Sequence, residues 1–154
     1  MFNQQQLEDI VDLLIEVNSP DTKIYIGTDS VRVRREGRWF AKYATVCVIH
    51  KAGKNGCKVF VHKSEEPDFD LKKNRPKMRM MNEVDKSCQL YLQLAPLIDG
   101  FSCEIHCDIN LDNKFGSNCA AKEAAGYVLG STGLEAIMKP FALASSFAAD
   151  HWAN

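Results

Sequence analysis

Two aspartates follow apolar, strand-like segments at corresponding points of the chain. Asp29 comes behind the segment 24–26, and Asp108 follows the later segment 103–107. A carboxylate at the end of a strand is exposed enough to ionise and is held by rigid neighbours, which suits a hard cation. Acids also follow strands as ordinary turn residues. Each position therefore has two interpretations when it is taken alone.

Two further acids lie on predicted helices. Glu83 stands between Met80 and Val84, so it borders the buried face of its helix. Asp150 lies in an otherwise apolar final segment, where a lone acid commonly faces water. The combination of strand acids with helix acids favours a shared site over separate surface roles.

Basic residues flank both candidate regions. One group follows Asp29 and adjoins Trp39, and another precedes Glu83. Because the net charge of the chain is −1, binding to nucleic acid would depend on such local groups. They predict phosphate contacts, with solvated surface charge as the alternative. The first group is Arg32, Arg34, Arg35 and Arg38, and the second is Lys72, Lys73, Arg75, Lys77 and Arg79.

Polar residues close to the two aspartates are candidate substrate ligands. Helix capping by Asn113 and ordinary surface exposure explain the segment after Asp108 equally well. His151 could move protons beside Asp150, although a surface histidine is the commoner case. The candidate ligands are Ser30, Arg32, Arg34, Asn110 and Lys114.

The composition is that of a folded protein with an ordinary core. Hydrophobic residues make up 45% and charged residues 25% of the 154 residues, which argues against disorder. No segment reaches the roughly 18 apolar residues of a membrane span, and the polar start at 1–6 does not resemble a signal peptide. We expect one domain over residues 1–154, cytoplasmic and independent of membranes.

The cysteines favour a structural role. No CxxC pair or secretory context is present, so the pattern predicts reduced, buried thiols. A metal site built from Cys103, His106 and Cys107 is disfavoured, because His106 would point to the opposite face of a strand. The six cysteines are Cys47, Cys57, Cys88, Cys103, Cys107 and Cys119.

Hydrophobic spacing orders the elements as helix, three strands, helix, strand, helix, short strand and helix. Helical spacing from Leu7 to Val17 follows a capping residue, Asn3. Strands are predicted at 24–30, 39–50, 57–62, 102–108 and 134–138, with a basic turn after the first and a loop at 65–76. Later helices are predicted from 76 to about 95, from 114 to 129 and from 144 to 153.

This order predicts an α/β fold. We expect a five-stranded mixed sheet flanked by helices on both faces. The segments 24–29 and 102–108 should be adjacent central strands, which would bring Asp29 and Asp108 together.

Four short motifs strengthen this interpretation. They read Ile24-Tyr25-Ile26-Gly27-Thr28-Asp29-Ser30, Met80-Met81-Asn82-Glu83-Val84, His106-Cys107-Asp108-Ile109-Asn110, and Lys139-Pro140 with Ala144-Ser145-Ser146 and Ala149-Asp150. In this order they resemble the RNase H-like YkuK family over most of the chain. The resemblance implies an RNase H-like fold in which Asp29, Glu83, Asp108 and Asp150 are the catalytic, metal-binding acids.

The activity implied by the resemblance is that of a nuclease. Hydrolysis of a phosphodiester needs an activated water and a stabilised leaving oxygen, and two Mg²⁺ ions about 3.5–4 Å apart supply both. We therefore expect a Mg²⁺- or Mn²⁺-dependent nuclease acting on RNA, DNA or a hybrid, with Asp29 bridging the metals. The alternative is a nucleic-acid- or protein-binding module that keeps the acids without useful turnover. A kinase-type ATPase is disfavoured, because it needs two such domains and glycine-rich phosphate loops.

Overall fold

A computed structural model describes residues 1–51, 56–71, 76–142 and 144–153, the side chains of 145–147 excepted. The strands are β1 Lys23–Arg35, β2 Arg38–His50, β3 Cys57–Pro67, β4 Ser102–Asn110 and β5 Ala136–Lys139. The helices are α1 Gln4–Val17, α2 Lys77–Leu94, α3 Ala121–Thr132 and α4 Asp150–Ala153. A 3-10 helix at Gly116–Ala120 precedes α3, and a π-helix at Ala144–Ala149 precedes α4.

The strands form one mixed sheet with β1 at its centre. Their order is β3-β2-β1-β4-β5. β1 pairs antiparallel with β2 and parallel with β4, while β3 and β5 lie at the edges. The predicted five-stranded mixed sheet is confirmed, and so is the predicted adjacency of β1 and β4.

Apolar layers cover the two faces of the sheet. On one face, Ile24 and Ile26 of β1 pack against α1 and α2, and α3 packs beside α2 over β4. On the other face, Val46 and Val48 of β2 pack against the π-helix. Removal of these side chains from water provides the main driving force for the fold. Helices on both faces are confirmed.

The hairpin of β1 and β2 is longer than predicted. The basic segment after Ser30 was expected to form a turn, but β1 continues to Arg35 and Arg34 pairs with Trp39. The arginines alternate with β-branched Val31 and Val33, a pattern that favours a strand. The turn consists only of residues 36 and 37, both with positive φ. Asp29 therefore lies within a strand and does not end it.

Other predicted boundaries also need correction. β3 extends to Pro67, so the expected loop at 65–76 begins later. α3 does not end at residue 129 as predicted. It runs through Gly130 to Thr132, and Gly133, whose backbone is left-handed, caps its C-terminus. The final helix is a π-helix over its first six residues. Pro76 precedes α2 and is not in its first turn. The strands predicted at 39–50 and 57–62 imply a turn between them, and most of it, residues 52–55, lies outside the described residues.

The cap of α1 and the state of the cysteines were both predicted from the sequence. Asn3 caps α1, since its side chain accepts a hydrogen bond from the backbone N–H of Gln6 at 2.8 Å. All six cysteines are free thiols, although Cys57 is exposed. Burial raises the pKa of Cys88, Cys103 and Cys107 to about 12, which keeps these thiols protonated and unreactive. In the described part of the chain, no helix is both long and apolar enough to cross a membrane.

Candidate active site

Asp29 and Asp108 lie on adjacent strands at the point where β1 and β4 stop pairing. Thr28 and Cys107 form the last pair, so each aspartate is the next residue of its strand. Thr28 shares a hydrogen bond of 2.8 Å with Ser87 of α2, and Cys107 packs in the α2 cluster. Because side chains alternate along a strand, both aspartates point to the opposite face. That face is covered by the π-helix and α4.

Asp150 is the first residue of α4, and its carboxyl group contacts that of Asp29. The pKa of Asp29 is raised to about 6, first by burial and then by the side-chain hydrogen bond and negative charge of Asp150. A backbone hydrogen bond at Ser30 and the charge of Arg79 act in the lowering direction. The contact with a second carboxyl group thus favours the protonated form of Asp29. The structure therefore brings together residues separated by most of the chain.

Glu83 approaches the same region from α2, on the other face of the sheet. It is 3% exposed and accepts a hydrogen bond of 2.5 Å from the hydroxyl of Ser30. Its pKa is raised well above the usual range, first by burial and then by the charge of Asp29. Glu83 and Asp108 also line one small cavity beside Thr28. The four predicted acids thus surround the end of the β1–β4 pairing.

Two cations that the sequence analysis did not assign to the site balance part of this charge. Nη1 of Arg79 donates hydrogen bonds to the backbone oxygen and the hydroxyl of Ser30, at 3.0 and 2.9 Å. Nζ of Lys139 lies 2.5 Å from a carboxylate oxygen of Asp108. Arg79 precedes Glu83 by one helical turn, a spacing that could have identified it. The role of Lys139 could not be identified from local spacing, because it depends on the pairing of β5 with β4.

His106 fixes the segment that leads to Asp150. Its Nδ1 accepts a hydrogen bond of 3.0 Å from the backbone N–H of Ala144, at the start of the π-helix. Its Nε2 lies 2.9 Å from Glu104, and its ring lies 4.9 Å from that of Tyr25. His106 therefore ties β4 to the covering segment and points away from the face that Cys107 occupies.

The predicted substrate ligands do not share one environment. Ser30 is buried, and its hydroxyl donates a hydrogen bond to Glu83. Arg32 forms an ion pair with Asp68 at 2.6 Å and donates to the backbone of Asp70 at 2.7 Å. Arg34 and Lys114 are exposed. The amide oxygen of Asn110 accepts a hydrogen bond from the backbone of Asp112, and Asn110 shapes the loop after β4.

The second predicted basic group is only partly described. Lys77 pairs with Glu123, and Arg79 belongs to the acid cluster. Lys72, Lys73 and Arg75 lie outside the described residues. A common phosphate-binding surface for this group remains a prediction.

The carboxylates are engaged within the protein as it stands. Asp29 contacts Asp150, Glu83 holds the Ser30 hydroxyl, and Asp108 pairs with Lys139. Among the residues described, no group of three or more His, Cys, Asp or Glu side chains is arranged to hold a metal ion. Chemically, the cluster can exchange protons and present oxygen ligands, and the pKa values of Asp29 and Glu83 are raised first by burial and then by neighbouring negative charge.

Comparison with known proteins agrees with this architecture. The chain matches the family described as Ribonuclease H-like over residues 5–154. No curated protein and no solved structure matches it. The family match covers nearly the whole chain, including both central strands and all four acids. The chain therefore belongs to the ribonuclease H-like family.

Proposed function

We propose that this protein is a nuclease that hydrolyses phosphodiester bonds of RNA or DNA with the help of Mg²⁺ or Mn²⁺. The observation that supports this most is a chain of pairwise approaches among four acids from two strands and two helices. Asp150 contacts Asp29, the charge of Asp29 acts on Glu83, and Glu83 and Asp108 line one cavity. Two of these acids have raised pKa values, which is a common property of functional sites. The sequence motifs favour the RNase H-like YkuK group within the family, and the composition favours a cytoplasmic location.

The donor set fits a hard divalent cation. All four side chains offer oxygen, the ligand that Mg²⁺ and Mn²⁺ prefer. A divalent cation bound among these carboxylates would offset their negative charge, as the ammonium of Lys139 now does at Asp108. Such a cation would supply a Lewis acid that activates water and stabilises the leaving oxygen.

The protein's own groups have distinct parts in this proposal. Ser30 orients Glu83 through its hydroxyl, and Arg79 holds Ser30 in place. His106 anchors the π-helix so that Asp150 reaches Asp29. The rigid β1–β4 pair fixes Asp29 and Asp108 relative to each other. Preorganised carboxylates of this kind lower the reorganisation needed during reaction.

A cleavage panel tests the proposal. Labelled single-stranded RNA, single-stranded DNA, duplexes and a hybrid are incubated with the protein in Mg²⁺, in Mn²⁺ and in EDTA. We expect cleavage of at least one substrate with either metal and none in EDTA. Asp12→Asn alters an exposed acid of α1 and should leave the rate unchanged. Failure to cut any substrate with either metal would contradict the proposal.

A second function is favoured by the protein groups that offset the negative charge of the acid cluster. Lys139 pairs with Asp108, the Ser30 hydroxyl donates a hydrogen bond to Glu83, and the charge of Arg79 acts on Asp29 and Glu83. This arrangement also suits a module that binds nucleic acid or protein without turnover. Tight binding of a nucleic acid in EDTA, combined with no cleavage in Mn²⁺, would support that function over the nuclease.

A further inference from the structure

An open groove of about 700 Å³ lies on the same face of the sheet as Asp29. Its floor contains Val31 and Val33 of β1, which share the face of Asp29 because side chains alternate along the strand. One wall carries Trp152 of α4, two residues beyond Asp150. The groove therefore lies along the long β1–β2 hairpin, and its lining begins two residues from Asp29 and from Asp150.

The lining of the groove combines an aromatic ring with two ammonium groups. Trp152 is 41% exposed, and Nζ of Lys63 lies 5.7 Å from the centre of its ring. Lys42 is exposed on the neighbouring strand. The acidic lining residue, Glu65, pairs with Arg35 at 2.5 Å, which offsets its charge. Positive charge beside an exposed ring is the combination that holds unpaired bases and their phosphates.

The opposite face of the hairpin has a different character. Trp39 is 40% exposed, but the guanidinium groups of Arg32 and Arg34 lie 4.3 and 5.6 Å from its ring centre. Arg32 is also bound to Asp68. Arg32 and Arg34 are thus directed away from Asp29, and Arg32 already covers the Trp39 ring that a base would need. Arg35 lies on the groove face, where it is paired with Glu65.

We propose that the groove binds a single-stranded segment of nucleic acid, with a base stacked on Trp152 and phosphates contacted by Lys42 and Lys63. This inference rests on the proposed function and specifies its substrate: an unpaired strand that passes from the groove to the acid cluster. A duplex would not present a free base face to Trp152.

Intrinsic fluorescence can locate the bound strand, because the chain has two tryptophans on opposite faces. Trp39→Phe leaves Trp152 as the reporter, and Trp152→Phe leaves Trp39. Both variants are titrated in EDTA with a short deoxythymidine oligonucleotide. We expect saturable quenching in Trp39→Phe and little in Trp152→Phe. Quenching confined to Trp39 would assign binding to the arginine face and overturn the proposal.

Affinity measurements add a second, independent readout. Trp152→Ala should weaken binding at least about fivefold, while Trp39→Ala should not. Replacing Lys42 and Lys63 with Gln should flatten the slope of log Kd against log salt by about 1.4. Lys58→Gln is the matched control, because Lys58 lies on β3 beside Phe60 on the opposite face. Equal effects of the groove and control variants would overturn the proposal.

Two further arms separate this inference from the proposed function. Oligonucleotide binding at Trp152 without cleavage in Mn²⁺ would support the proposed binding groove and contradict the proposed nuclease activity. Cleavage that is unaffected by Trp152→Ala and by the lysine changes would support the nuclease activity and contradict the proposed binding groove. Equal displacement by a polyglutamate of matched charge would show that charge alone fills the groove, which also contradicts a base-stacking site.

Discussion

Two buried aspartates in this protein have nearly the same exposure and opposite surroundings. Asp29 is 7% and Asp70 is 8% exposed. The carboxylate of Asp70 accepts hydrogen bonds from the backbone N–H groups of Met78 and Arg79, both at 2.9 Å. It thereby caps the start of α2, where the helix dipole also favours negative charge. Asp29 instead meets Asp150 and the charge of Glu83.

The comparison separates acids that hold the fold from acids that are available for chemistry. Asp70 has its hydrogen-bond donors supplied by the folded chain, so its burial stabilises the structure. In the cluster around Asp29, burial first and neighbouring negative charge second raise the pKa values of Asp29 and Glu83, so the ionised forms of these groups destabilise the folded state. A protein retains such a cluster when a cation or substrate makes use of it.

The largest expected difference is between the matched variants Asp29→Asn and Asp70→Asn. Asp29→Asn removes a central charge of the cluster and should lower the cleavage rate by at least about 100-fold, with equal or greater stability. Asp70→Asn removes one acceptor of the α2 cap and should cost about 1–2 kcal/mol of stability while activity persists. Urea unfolding and the cleavage assay measure the two effects. Equal loss of activity in both variants would contradict the distinction.

The pH dependence of stability should be next in size. Because the pKa of Asp29 rises from 3.8 to about 6 on folding, the folded state holds this proton between about pH 4 and 6 after the unfolded chain has lost it. The free energy of unfolding should therefore fall as pH rises through that window, by about 3 kcal/mol from Asp29. Glu83 contributes in the same direction.

Urea unfolding in EDTA at several pH values checks this expectation. The wild type should lose stability between pH 4 and 7, and Asp29→Asn should lose distinctly less. A stability that rises through this window would contradict the raised pKa of Asp29.

A smaller effect is expected at Lys139. Its ammonium pairs with Asp108 and competes with any cation for that carboxylate. Lys139→Gln should tighten Mn²⁺ binding by about three- to tenfold and change stability by less than about 1 kcal/mol. Lys77→Gln, which breaks the exposed pair with Glu123, is the control and should leave Mn²⁺ affinity unchanged. Weaker Mn²⁺ binding in Lys139→Gln would show that Lys139 supports the site and does not compete in it.

The central strands were predictable from their residue patterns, because 24–26 is a run of β-prone residues and the apolar residues of 103–107 alternate with polar ones. An aspartate follows each segment in the same register. The hairpin was mispredicted because clustered arginines resemble a solvated turn, although Val31 and Val33 alternate with them at strand spacing. The π-helix could not be predicted, since its hydrogen-bond spacing has no distinctive sequence pattern.

The acids of the candidate site were also more predictable than the groups that offset their negative charge. Asp29, Glu83, Asp108 and Asp150 stand out by position and motif. The parts played by Lys139 and Asp70 depend on which elements meet in the folded chain, and local spacing does not encode that. Arg32 was predicted to contact phosphate for the same reason: its ion pair with Asp68 forms only in the folded chain and has no local sequence signal.

Thermal unfolding with and without Mn²⁺ at pH 7.5 tests the central claim most directly. If the acid cluster is a cation site, Mn²⁺ at about 100 times its Kd should stabilise the wild type by about 2.7 kcal/mol, which raises Tm by roughly 5–10 °C. Asp70→Asn should show the same rise from a lower starting Tm, and Asp29→Asn should show little or none. An equal rise in all three proteins, or none in the wild type, would contradict the assignment of Asp29 and its neighbours as a metal-dependent catalytic site.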